Sequence, residues 1–134
     1  MDVSKPAPYD EFYGLEVTRC DALGVAGSVV VQPHHLQPMG LVHGGVYASI
    51  GEALASLGTN WHVAPDGLLA LGMTNATSFM RPIADGAIHG TAEPRHQGRS
   101  TWVWDVDMRD DAGALCAVSR VTLAVRPAAR AGLR

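Results

Sequence analysis

Apolar and polar positions alternate most regularly between Thr101 and Arg109. Trp102, Trp104, Val106 and Met108 fall on one side, Val103, Asp105 and Asp107 on the other. That period of two predicts a strand with one buried face. The alternation resumes from Ala114 to Val125, where Leu115, Ala117, Ser119, Val121, Leu123 and Val125 share a side. Asp110-Asp111-Ala112-Gly113 between them predicts a hairpin turn, with glycine at the positive-φ position. Upstream, Gly24 to Gln32 is β-branched around Val29-Val30-Val31 and bounded by Gly24 and Pro33, a further strand. Leu68 to Phe79 and Ala87 to Glu93 predict two more, separated by Arg81-Pro82 and the turn Ala84-Asp85-Gly86. Arg95 to Arg99 reads as a polar link, and Phe12 to Cys20 as either a first strand or a short helical turn.

In one place the period changes. From Val46 the apolar residues Ile50, Ala53, Leu54 and Leu57 recur at three and four, which is helical. Alanines at 48, 53 and 55 favour a closely packed helix. Gly58 and Asn60 weaken its end and Pro65-Asp66-Gly67 stops it. The expectation is one helix of about four turns over residues 45–61, Val46 to Trp61 at its centre. At most two strands precede it and four follow, joined by short turns that favour antiparallel neighbours. That order predicts an α+β architecture, one amphipathic helix wrapped by a curved sheet. Residues 1–10 read as a flexible arm, 11–126 as a single domain and 127–134 as a frayed tail.

Composition narrows the function classes. The 134 residues suit one domain and carry a net charge of −3. A chain this long buries roughly two-thirds of its unfolded surface, so it needs no disulfides to hold a core. The 10 Lys and Arg are scattered, leaving no basic stripe for nucleic acid. Cys20 and Cys116 form no framework or metal motif, and no signal pattern opens the chain, so a reduced, cytoplasmic protein is expected. No apolar run approaches the roughly 20 residues that span a bilayer, so no membrane partner is expected. His34-His35 and the other histidines match no zinc spacing.

The chemistry concentrates at the helix start, in Gln37-Pro-Met-Gly-Leu-Val-His43-Gly44-Gly45. Two glycines there let a ligand approach the backbone. The first helical N–H groups lack partners inside the helix, and the dipole adds positive partial charge. A carbonyl turning into an oxyanion is stabilised at such a place. His43 can donate a hydrogen bond to the same region. Glu52 lies nine residues further on, facing the same side as Ser56 on an otherwise apolar helix. The axial distance is on the order of 12 Å. One substrate would therefore be held more easily if the pocket were shared between two chains.

Gln37-Pro-x-Gly-Leu-x-His43-Gly44-Gly45, with Glu52 nine after the histidine and Ser56 four after that, resembles the hotdog-fold acyl-CoA thioesterases. Within them it is most similar to the glutamate-using 4-hydroxybenzoyl-CoA and 1,4-dihydroxy-2-naphthoyl-CoA branch, the phenylacetic-acid-degradation type. Arg81-Pro82, Pro94-Arg-His96-Gln-Gly98-Arg99-Ser100 and Ser119-Arg120-x-Thr122 agree with it, so the resemblance runs over about residues 25–126. The pattern departs at Ser78-Phe79, where many relatives carry Asn before the aromatic.

The resemblance implies a hotdog fold, a homodimer or homotetramer with a continuous sheet and shared active sites, and hydrolysis of an aromatic or bulky acyl-CoA. Glu52 matches the carboxylate that attacks the thioester carbon or activates water. The Gly44 N–H matches the group that polarises the carbonyl, and His43 and Gln37 match residues that orient the reacting groups. Ser56 matches a pocket residue near the acyl ring, with Tyr47 and Met73 expected in the lining. Gly98, Arg99 and Ser100, with His96, Arg81 and Arg120, match the area that holds the CoA nucleotide, where the guanidinium fork suits phosphate. No metal or bound cofactor is implied, since CoA enters as part of the substrate.

Each residue also has a plainer reading. Glu52 could be a solvated helix residue. His43 could cap the helix, and Gln37 could bond only loop backbone. Ser56 could bond back to the Glu52 carbonyl. Arg120 could pair on the surface, and Trp102 and Trp104 could be packing. Other roles for the chain are an acyl-thioester hydratase or dehydratase, and a non-enzymatic acyl-CoA binding module.

Overall fold

The structure is a computed structural model that describes residues 7–130. A short helix, α1 (Pro8–Tyr13), leads into β1 (Glu16–Asp21) and β2 (Gly24–Val30). The long helix α2 spans Gly44–Val63, and β3 (Leu68–Phe79), β4 (Ala87–Gln97), β5 (Thr101–Arg109) and β6 (Leu115–Pro127) follow. The six strands form one antiparallel sheet in the order β1-β2-β4-β5-β6-β3, curved around α2. This is the wrapped-helix arrangement of the hotdog resemblance.

The sequence expectations need correction at several boundaries. Residues 1–6 of the expected arm, and 131–134 of the expected tail, lie outside the described residues. Pro8 to Asp10 are not loose but begin α1, which docks on the start of α2 through the Tyr13 hydroxyl, 3.3 Å from the Ser49 carbonyl. Pro127 closes β6, and Ala128–Arg130 make one further helical turn rather than fraying at once. Arg95 to Gln97 are not a link but the end of β4, beyond a bulge at Pro94–His96. A proline survives there because β2 pairs with β4 only as far as Ala92. Past that point one edge of β4 is free, and a missing donor costs nothing. Although Ala84-Asp85-Gly86 turns the chain, β3 and β4 are not a hairpin. β3 pairs with β6 at one edge, while β4 sits between β2 and β5.

The α2 helix runs 20 residues, longer at both ends than its apolar period suggests. Gly58 does not end it. A Cβ on Gly58 would stand 2.4 Å from Trp104 Cη2, and one on Gly51 would stand 2.6 Å from Ser119 Oγ. These two glycines let the helix settle directly onto β5 and β6. Ile50, Leu54, Trp104, Val106, Met108 and Leu123 are fully buried in the core between them. Trp102 and Trp104 are core residues, as the packing reading had it, stacked 6.1 Å apart. The one polar group this buries on Trp104 is satisfied: Nε1–H donates to Thr59 Oγ1 at 2.8 Å, and Thr59 in turn donates to the Ala55 carbonyl. No helix among the described residues is long and apolar enough to cross a membrane.

Candidate active site

The loop before α2 is fixed by a buried histidine. The His35 ring accepts the Gln32 N–H at Nδ1 (2.9 Å) and donates from Nε2 to the Tyr13 carbonyl (2.8 Å), while the His35 carbonyl accepts the His43 N–H. Burial holds the His35 pKa below its ordinary value; His34 adds to this and the Tyr13 carbonyl opposes it. One imidazole thus ties the end of α1 to the entry of α2.

His43 is the N-cap of α2, and its Nδ1 accepts the Gly45 N–H at 2.8 Å. The capping reading is therefore right, and it also leaves a consequence. With Nδ1 occupied as an acceptor, the neutral ring carries its proton on Nε2, away from the helix. Gly44 is the first helical residue, where an N–H has no partner inside the helix.

Gln37, Leu41, Val42, Gly44, Tyr47, Phe79, Met80, Arg81 and Pro82 line a pocket of about 330 Å³ at this helix start. Gln37 holds its own loop by accepting the Met39 N–H through Oε1. Tyr47 is buried, and its hydroxyl has no hydrogen-bond partner among the described residues. Burial, with Cys116 nearby, pushes its pKa up to about 12, so the phenol stays protonated. The structure thus brings together Gln37, Gly44, Tyr47 and Arg81 of the expected site, with His43 capping the same helix start.

The remaining candidates lie elsewhere in the chain. Glu52 is exposed, two turns along α2, with Oε1 3.1 Å from where a Cβ on Gly72 would stand. Gly72 is seven residues from Phe79 along β3, about 23 Å. Met73 is 59% exposed on β3 and does not line the pocket with Tyr47. Ser56 is half-buried one turn past Glu52. Ser49 and Thr59, not Ser56, are the helix hydroxyls that bond back, to Gly45 and Ala55.

Gly98, Arg99 and Ser100 form the β4–β5 turn, with Ser100 accepting the Val125 N–H. Thr101 pairs with Ala124, which pairs with Leu71, so this turn sits at the Glu52 end of the sheet, away from Gly44. His96 Nε2 lies 2.6 Å from where a Gly98 Cβ would be, so that glycine keeps the turn tight. Arg120 is engaged: its guanidinium makes two bonds to Asp105, at 2.9 and 3.1 Å, and Arg95 joins the same carboxylate at 3.2 Å. The surface-pair reading holds for Arg120. Arg99 is exposed on the turn. Among the described residues no group of three or more His, Cys, Asp or Glu could hold a metal, and both cysteines are free thiols.

Two features escaped the sequence reading. Phe79 points its ring edge at Gly44, with Cζ 2.7 Å from where a Cβ there would stand. Asn75 Nδ2 donates to the Ala48 carbonyl at 2.9 Å and is held by Thr77, which also bonds Ser119. The glycine in front of Phe79 was the available signal for the first. Nothing in the residue order pointed to the second.

A helix start with a spare N–H and a separate carboxylate on the same helix can polarise a carbonyl and deliver a nucleophile or base, provided both reach one substrate. Comparison with known proteins identifies the family. Residues 39–117, more than half of the chain, match the model of the thioesterase superfamily. The chain is 38% identical over 120 residues to the Mycobacterium tuberculosis protein Rv1847/MT1895, covering 87% of this chain and 84% of that one. The solved structure of that protein superposes with a TM-score of 0.88, covering 90% of this chain and 98% of the other. The structure of thioesterase HI1161 from Haemophilus influenzae superposes with a TM-score of 0.85 at 28% identity, covering 90% and 83%. The proofreading thioesterase EntH of Cronobacter turicensis is 31% identical over 115 residues, covering 86% of this chain and 83% of its own. The chain belongs to the thioesterase superfamily.

Proposed function

We propose that this thioester hydrolase cleaves acyl-CoA thioesters carrying an aromatic or similarly bulky acyl group, in the manner of the glutamate-using branch, at sites shared by two copies of the chain. The observation that supports it most is the β3 edge. This strand is 12 residues long, ends the sheet, and from Leu71 to Ala76 is exposed on both faces. Among the described residues its outer row of N–H and C=O groups is unpaired, and the edge carries Leu71, Met73 and Phe79, a surface that invites a second strand.

Pairing two copies of β3 antiparallel, about a two-fold axis near Asn75–Ala76, brings row 72 of one chain opposite row 79 of the other. Glu52 stands at row 72 and Gly44 at row 79. The carboxylate of one subunit then meets the helix start of its partner, across a gap that a single chain leaves at about 12 Å along α2.

In that site the thioester oxygen takes the Gly44 N–H, and the growing negative charge sits at the positive end of α2. Glu52 attacks the carbonyl carbon to give a transient anhydride, or takes a proton from an attacking water. The carbon–sulfur bond breaks and CoA leaves as a thiolate that is then protonated; where the anhydride forms, water then cleaves it, which releases the free acid and restores Glu52. His43 Nε2–H and Gln37 lie at the helix start to orient the reacting groups. Ser56 and Met73 approach the acyl group from the Glu52 side. Arg99 and Ser100 on the β4–β5 turn, with Gly98 and His96 shaping it, offer a place for the nucleotide.

Release of free thiol, followed with a thiol reagent across aromatic, short-chain and long-chain acyl-CoAs, tests the reading. Thiol release marks hydrolysis and distinguishes it from hydration of the acyl chain. Glu52→Ala is expected to lower turnover at least about a hundredfold, roughly 2.7 kcal/mol of barrier. Unchanged turnover would refute the role of Glu52.

A further inference from the structure

The ring of Phe79 lines the pocket at the start of α2. It is 58% exposed in the single chain, and the strand pairing proposed above sets it opposite row 72 of the second copy, at the edge of the shared site. Its Cζ, Cε1 and Cε2 atoms press on Gly44, at 2.7, 3.1 and 3.2 Å from the position a Cβ would take. One side leans on Tyr47, with ring centroids 5.8 Å apart and planes tilted by 48°. Two contacts fix the ring's edge and one flank. The ring lines the pocket, whose apolar walls apart from Phe79 and Tyr47 are the non-aromatic Leu41, Val42, Met80 and Pro82, with Gln37 and Arg81 as its polar side chains.

In the proposed site the thioester carbonyl takes the Gly44 N–H, and the Phe79 ring touches that same glycine and lines the same pocket. A saturated chain gains area there and nothing more. A flat, conjugated acyl group gains offset stacking as well, worth about 0.5–1.5 kcal/mol beyond burial in aromatic pairs. We infer that Phe79 is the specificity-determining residue that selects planar acyl groups, those with the thioester carbonyl conjugated to a ring, over saturated groups of equal size. This rests on the acyl-CoA thioesterase reading above, and it names the residue that sets the preference of that site.

The test compares benzoyl-CoA with cyclohexanecarbonyl-CoA, which match in size and differ in flatness. Wild-type protein is expected to prefer benzoyl-CoA in kcat/KM. In Phe79→Leu that ratio falls roughly three- to tenfold, because volume is kept and the π face is lost. In Phe79→Tyr, which keeps the face, the ratio stays within about twofold of wild type. Phe79→Met, unbranched and apolar, takes the place of Phe79→Leu if that variant fails to fold. A wild type without preference overturns the inference, as does a ratio unmoved in Phe79→Leu or equally lowered in Phe79→Tyr. Failure of the wild type to release thiol from any acyl-CoA would bring down the thioesterase reading and this inference together. Thiol release with an unmoved ratio removes only the inference about Phe79.

Discussion

His35 is satisfied only as a neutral imidazole. Its Nδ1 accepts the Gln32 N–H, so a second proton on the ring would face a donor. Burial lowers its pKa from the ordinary 6.5. The unfolded chain therefore takes the proton first as pH falls, and stability present above pH 6.5 is lost below it. Melting temperature should drop between about pH 7 and about pH 5, and His35→Gln should flatten that slope. A slope equal in both proteins would mean other groups govern it. Gly44 is the second residue with a sharp consequence. His43 has an extended backbone, with ψ of 136°, which suits a residue before proline, and the first helical position accepts proline. Gly44→Pro deletes the N–H without breaking α2, but its Cβ meets the Phe79 ring, so it is compared with Gly44→Ala, which adds the same Cβ and keeps the N–H; turnover of Gly44→Pro should fall on the order of a hundredfold or more below that of Gly44→Ala. The position of His43, Gly44 and Gln37 at a helix start was legible in residue order because a helix start is a local feature. Phe79 was not legible, since an aromatic at a strand end looks like packing until the glycine it touches is known.

At the scale of elements, α2 shows where local propensity was overruled. Gly58 and Asn60 read as weakening the helix, yet both have tertiary roles. Gly58 admits Trp104 and Val25, and Asn60 Oδ1 accepts the Ala70 N–H at 2.9 Å at the start of β3. Gly58→Ala raises helix propensity but drives a methyl group into the Trp104 ring. It should destabilise the fold by about 1–3 kcal/mol, measured by denaturant unfolding. A gain in stability would mean the helix rides higher on the sheet than described. The strands with one buried face, β5 and β6, were legible nearly to the residue, because alternation reports burial directly. The end of β4 was hidden by Pro94 and by its polar run Arg95-His96-Gln97. The position of β3 at the far edge is a non-local pairing that no alternation encodes.

In a single chain the two halves of the proposed site do not meet. Gly44, Gln37 and Tyr47 lie at the Phe79 end of β3, and Glu52 lies against Gly72. The sequence hinted at this through the nine-residue gap between His43 and Glu52. The long edge strand, exposed on both faces, supplies the surface that would close the gap. Sharing between subunits is the central claim, and mixed dimers test it most directly. Glu52→Ala and Gly44→Pro chains carrying different tags are co-expressed, and dimers holding both tags are purified. One of the two shared sites in such a dimer draws Glu52 and Gly44 each from the unaltered position of a different chain. The mixed dimer should recover about half of wild-type turnover while each variant alone stays nearly inactive. If the mixed dimer is no more active than the single variants, each site belongs to one chain and the shared-site account is wrong.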